Sequence, residues 1–153
     1  MDLPLGYLFK GLNDDRLKRI ANIATEVSME NEQEICVEGE TAKALYILKT
    51  GAVELVTKVE NEVELPVGIL RNPGDIFGGG VLVAPYLYSL MARCAKTGIL
   101  FKIEGSALQE LMKEDRDLGC IIMSNLAEHF LDRLKESRRE VKIHFNTLLR
   151  SYR

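Results

Sequence analysis

No histidine occurs before residue 129 in this chain of 153, and only two occur in all, His129 and His144. A barrel enzyme that binds its metal through a His-x-His pair and a carboxylate on its strands is thereby excluded. The three cysteines, Cys36, Cys94 and Cys120, are odd in number, far apart and set in apolar patterns. That excludes a disulfide framework and a CxxC metal pair, and each reads as a small buried hydrophobe. No apolar run approaches the ~20 residues that span a bilayer. The opening MDLPLGYLFKG carries an acid at position 2 where a secretion signal wants bases, so the chain is expected to stay in the cytoplasm, away from membranes. No P-loop, Ser/His/Asp set or Cys/His pair is found. Catalysis, a bound metal and a cofactor are not expected.

What is present fits one soluble globular domain over residues 1–153: 46% hydrophobic, 28% charged and no low-complexity tract. The net charge of −3 is unevenly spread, with seven Lys/Arg against two Glu in residues 133–153. Cations in the last turns of a helix complement its macrodipole, which accounts for the basic end without an acidic partner.

Residues 7–27 place Leu12, Leu17, Ile20, Ile23 and Ala24 at helical spacing, with Asn13 or Asp14 as N-cap. This predicts a short amphipathic helix, or two helical turns joined at Gly11, within an N-terminal segment 1–27. Over 28–104 the period becomes two. Ile35 and Val37, Leu45 and Ile47, Val53 and Leu55, Val63 and Leu65 alternate with polar neighbours, as half-buried strands do. Turn residues separate them at 38–40, 49–51, 60–62 and 72–75, predicting a compact antiparallel barrel or jelly roll of about eight strands. Pro66 is placed at an edge or a bulge, and Ile99–Ile103 reads as a closing strand.

Helix returns over 105–153. Ser106 is a plausible N-cap for the first helix, and a long helix follows over about 118–150. On it Met123, Ala127, Phe130, Leu134, Ser137, Val141, Phe145, Leu148 and Tyr152 follow steps of three and four. A seam repeating near 3.5 residues is a coiled-coil pattern, and the two consecutive steps of four around Val141 insert a stutter. About 30 helical residues extend ~45 Å, longer than such a barrel can cover. A homodimer through this helix is therefore expected over the helix folding back on its own barrel.

The order of these parts resembles the cyclic nucleotide-binding domain of catabolite-activator-type regulators, cAMP-dependent kinase regulatory subunits and cyclic-nucleotide-gated channels. Leu45-Tyr46-Ile47-Leu48-Lys49-Thr50-Gly51-Ala52-Val53 matches that family's LYxIxxGxV. Asn72-Pro73-Gly74-Asp75-Ile76-Phe77-Gly78 matches xPGDxFG, Ile35 to Glu40 fits IxxxGD with Glu for Asp, and Leu8 to Leu12 fits LFxxL. The fold so implied is mainly β with flanking helices: a double-stranded β-helix, jelly-roll or cupin-like, with a short N-terminal helix and a long C-terminal one.

The resemblance also implies a ligand site. In the family a phosphate-binding cassette follows FG: a Glu takes the ribose hydroxyl, and an Arg followed by Ser or Thr takes the cyclic phosphate. An ungapped count puts Gly79 at the Glu position, Ser89 at the Arg position and Leu90 at the Ser/Thr position. An anion in a partly buried pocket wants an amide nest and a desolvated guanidinium, so a cyclic nucleotide is disfavoured. Arg93 is the one cation between Arg71 and Lys96. It either stands in from the strand face of Ser89 and Met91 or sits at the rim paired with a carboxylate. Gly78, Gly79 and Gly80 either present amides to a ligand or only turn the chain. Val81 to Met91 is far more apolar than an anion cassette should be, and Pro85 interrupts any helix there. Such a segment fills the pocket or lines a cavity for an apolar or aromatic small molecule. The expected function is a regulatory or ligand-sensing domain with a degenerate cassette. The alternative is the sensor part of a Crp/Fnr-type transcription regulator that binds a cyclic nucleotide or another small molecule, whose DNA-binding module would follow where this sequence stops.

Overall fold

The computed structural model describes residues 3–4 and 6–152. The N-terminal segment is two helical pieces, a 3-10 turn over Tyr7–Phe9 and helix α1 over Asp14–Asn22. Gly11 joins them at a left-handed φ of 86°, where a side chain would be strained. Asn13 caps α1, its side-chain oxygen accepting from the Arg16 amide at 2.9 Å. Strand β1 (Ala24–Met29) follows at once. The helical part is therefore shorter than the expected 1–27, because Ala24 and Met29 are already buried in the sheet.

Five further strands, β2 (Glu34–Cys36), β3 (Ala44–Val59), β4 (Val63–Leu70), β5 (Ile76–Phe77) and β6 (Met91–Glu104), complete one antiparallel sheet. Its path runs β1-β6-β3-β4, with β2 added to β6 and β5 to β3. Among the described residues the number is below the expected eight, in part because β3 runs unbroken where a turn was read at 49–51. At Lys49-Thr50-Gly51 the chain bulges without reversing, with register shifts against β6 between Leu48 and Val53. A side chain on Gly98 would strike the Thr50 carbonyl, and Gly51 has φ 93°. Bulge and close approach thus replace the predicted turn. β6 likewise starts at Met91, well ahead of the expected run at Ile99.

Leu45, Ile47, Leu48 and Val53 of β3 meet Leu100, Phe101 and Ile103 of β6 in one buried cluster that also takes in Leu8, Phe9 and Ile20. Each such side chain contributes about 1.5–3 kcal/mol by leaving water. Val63 and Leu65 do not share it. They are 65% and 51% exposed, because β4 is an edge strand whose hairpin with β3 runs past the core. Pro66 lies on that edge beside the register shift between Leu55 and Val56, where no ladder donor is needed.

Helix α2 spans Gly105–Glu114 and starts before Ser106, with Glu104 at the N-cap making no side-chain cap bond. Gly105 is drawn in by its amide bond to the Lys43 carbonyl at 2.7 Å. Helix α3 spans Arg116–Ser151, capped by Asp115, which accepts from the Leu118 amide at 3.1 Å. Its first turns bury Leu118, Gly119, Ile122 and Leu126, whereas residues 131–152 are all exposed. The outer half of the helix is not covered by the roll. Cys36 and Cys94 are buried as expected, but Cys120 is exposed, on the face of α3 turned away from the core.

Candidate functional site

The turn 72–75 builds the entrance. Asp75 accepts from the Arg71 and Asn72 amides at 3.2 and 2.9 Å, and Gly74 takes φ 96°. The Gly74 amide and the Leu48 carbonyl bond at 2.8 Å, as do the Leu48 amide and the Asp75 carbonyl. This clamp lays β5 on β3 with Phe77 opposite Tyr46, the two rings stacked 5.2 Å apart.

The three glycines that follow differ in what they are for. Gly78 has φ 86°, and a Cβ there would lie 2.8 Å from the Ala44 carbonyl oxygen. A Cβ on Gly80 would collide with the Leu87 carbonyl. Gly79 meets only Leu126 and Phe130 at ordinary contact distance, so space does not demand glycine there. Residues Gly79–Leu82 form a 3-10 turn that drives Val81 and Leu82 inward. Gln109 of α2 donates to the Val81 carbonyl at 2.7 Å. The Tyr88 hydroxyl donates to the Ala44 carbonyl at 2.9 Å and accepts from the Ala44 amide at 3.1 Å, pinning the end of the loop to β3. The apolar residues therefore fill part of the expected pocket without closing it.

A cavity of about 290 Å³ remains. Gly78, Gly79, Gly80, Ser89 and Leu90, candidates named from the sequence, line it together with Leu55, Phe77 and Ala92 of the roll. Arg93 does not. Its neighbour Ala92 takes the inward position, and Arg93 points the other way. Its Nε donates to Glu54 at 2.6 Å and its two terminal nitrogens donate to Glu64 at 2.9 and 2.8 Å. These bonds hold Glu64 below its ordinary range and raise the Arg93 pKa further. The stand-in idea is thus corrected: Arg93 is the rim arginine, saturated by two carboxylates.

The opposite wall was not read from the sequence. Tyr7, His129, Phe130 and Arg133 close the cavity from the helical side. Tyr7 stacks on His129 with centroids 3.8 Å apart. One turn earlier, Asn125 Nδ2 donates to the Leu8 and Lys10 carbonyls, both at 2.9 Å, and Lys10 pairs with Glu128 at 2.9 Å. Burial pushes the Tyr7 hydroxyl and the Cys36 thiol up to about 12. Burial first, and then Arg133, lowers His129 below its usual value. At neutral pH the lining contributed by the described residues therefore carries one formal charge, the Arg133 guanidinium, and no carboxylate. The available signal was the i, i+4 pair His129 and Arg133, flanking the seam residue Phe130. Of the other seam residues, Met123, Ala127, Leu134, Val141, Phe145 and Leu148 are exposed on α3, and so is His144. Among the described residues no group of three metal-ligating side chains occurs, and no helix is long and apolar enough to cross a membrane.

Comparison with known proteins adds three findings. The family model for the cyclic nucleotide-binding domain matches residues 26–115. Among solved structures, a Geobacter metallireducens protein classed as cyclic nucleotide-binding superposes with TM-score 0.71 at 35% identity, over 83% of this chain and 91% of that one. The catabolite activator protein of Thermus thermophilus gives TM-score 0.74 over 90% of this chain and 62% of its own, at 22% identity, a likeness of fold. The potassium channel AKT6 of Arabidopsis thaliana is 29% identical over 82% of this chain, which spans 14% of that channel's length.

Proposed function

The chain belongs to the cyclic nucleotide-binding domain family, and from that premise we propose that it is a non-catalytic sensing or regulatory domain whose cassette does not hold a cyclic nucleotide in the usual way. One observation carries this reading: among the described residues the roll side of the cavity offers no charged group. Gly79, Ser89 and Leu90 stand where the resemblance calls for Glu, Arg and Ser or Thr, and Arg93 is engaged by Glu54 and Glu64 on the other face. A ribose hydroxyl and a phosphodiester would both enter a desolvated site without the charge-assisted bonds that offset their desolvation. The volume of about 290 Å³ also lies at the small end of ligand pockets. Calorimetric titration with cAMP and with cGMP tests the reading. No saturable heat is expected at micromolar ligand, and micromolar binding of either overturns it.

Signal transfer in this reading runs through α3, which contributes both the cavity's helical wall and the exposed apolar series Leu134, Val141, Phe145 and Leu148. Side chains of that kind, at steps of seven, four and three, are what a partner helix covers in a coiled coil. We infer a homodimer through the outer half of α3. An occupant that touches His129 and Arg133 then biases the arrangement of α3 only by its differential affinity for two arrangements. Equilibrium sedimentation should give a dimer, and Val141→Asp with Phe145→Asp should give a monomer. A monomeric wild type at micromolar concentration contradicts the seam.

A further inference from the structure

We propose that the cavity takes a small compound with an apolar, ring-sized body and a single anionic group, and that Arg133 is the residue that selects for the anion. The inference rests on the reading of this cavity as a ligand site and goes beyond it by naming what enters. The body is set by Leu55, Leu70, Ile76, Phe77, Leu90 and Phe130, the large apolar side chains of the wall. At about 30 Å³ for a water-sized group, the volume admits roughly ten of them, enough for one ring with a short acidic arm.

The charge is set by what surrounds that space. Among the described residues no carboxylate lines it, and Glu136 offsets the guanidinium only from outside the lining, so a cation entering would meet Arg133 with little to balance it. A neutral compound would leave the guanidinium unused. Arg133 is held loosely: its ion pair to Glu136, one turn along α3, is 3.6 Å long with both partners well exposed. Exposed pairs of this kind are worth little, so a carboxylate or sulfonate at the cavity mouth competes readily for the guanidinium. Its position is fixed by the clamp just before it. Asn125 on the Leu8 and Lys10 carbonyls and Tyr7 on His129 hold this stretch of α3 against the N-terminal turn. Arg93, by contrast, is already bonded to two carboxylates outside the cavity and cannot serve.

Three probes of nearly equal shape separate charge from burial: phenylacetate, 2-phenylethanol and phenethylamine. Each is titrated into the full 153-residue chain while amide shifts are followed by NMR. Phenylacetate is expected to bind about tenfold or more tightly than phenethylamine, the scale of one charge-assisted hydrogen bond, with shifts at Gly79, Gly80, Ser89 and His129. Arg133→Gln should bring the three affinities together, and Arg133→Lys should keep most of the preference. Arg138→Gln, further out on the exposed part of α3, removes the same charge from the helix and should leave the preference intact. Equal affinities in the wild type, a preference that survives Arg133→Gln, or shifts confined to other surfaces would overturn the assignment. A cAMP titration of the same sample separates the two levels. Micromolar cAMP binding overturns the underlying reading, whereas silence towards cAMP with equal affinities for the three probes overturns only the anion assignment.

Discussion

The two walls of the cavity were built under different rules. The roll wall is fixed by its backbone: the Asp75 clamp, the positive φ at Gly74 and Gly78, and the close approach at Gly80. At the positions where the resemblance calls for Glu, Arg and Ser or Thr it carries Gly79, Ser89 and Leu90. The helical wall has no such motif, yet it brings the one charge among the described lining residues, Arg133, and the stacked pair Tyr7 and His129. In this reading backbone shape and ligand chemistry are separable: the turn is held by hydrogen bonds and steric contacts that do not depend on which side chains line the loop.

The largest test of that separation is in the glycines. Gly80→Ala forces a methyl group against the Leu87 carbonyl, and Gly78→Ala adds a positive φ to a 2.8 Å contact. Each should cost about 2–4 kcal/mol in chemical denaturation, the range of strained backbone and overpacking combined. Gly79→Ala should change stability by no more than about 0.5 kcal/mol, since its Cβ has room. Equal costs at all three would mean that Gly79 too is structural, and the contrast between shape and chemistry would fail.

On the helical wall, Asn125→Ala leaves the Leu8 and Lys10 carbonyls without their donor. A loss of about 1–3 kcal/mol is expected, the cost of unsatisfied buried groups. A near-neutral result would mean that the clamp does not fix α3 against the N-terminal turn. The smallest effect is one of pH. Burial holds the native pKa of His129 below its value in the unfolded chain. The unfolded state then binds the proton first, so stability is complete above about pH 6.5 and declines as pH falls below it. Tyr7, Arg133, Asp132 and Glu136 face or flank the ring. His129→Gln should flatten this slope between pH 7 and 5, measured as the denaturation midpoint, and an unchanged slope would remove His129 from the account.

Legibility followed range. The strand-turn-strand matches at Leu45–Val53 and Asn72–Gly78 are local, and they led correctly to the roll, to β5 and to the cassette entrance. The Asn13 cap and the long α3 were legible for the same reason. Alternation could not say that Val63 and Leu65 lie on an edge, because the period of a strand is the same whether or not a second layer covers it. Nor could turn-forming residues at 49–51 reveal a bulge, which depends on how closely Gly98 approaches Thr50. The Arg93 alternatives were decided by Glu64, a residue of the neighbouring hairpin. The helical wall was invisible because Tyr7 and His129 meet only after the whole roll has been laid between them.

The central claim, that the cassette keeps its turn without its ligand chemistry, is tested most directly by crystals of the protein grown with millimolar cAMP. The account predicts no nucleotide density between Gly78–Gly80 and Ser89. A cyclic phosphate seated on those amides, with its ribose held nearby, would contradict it.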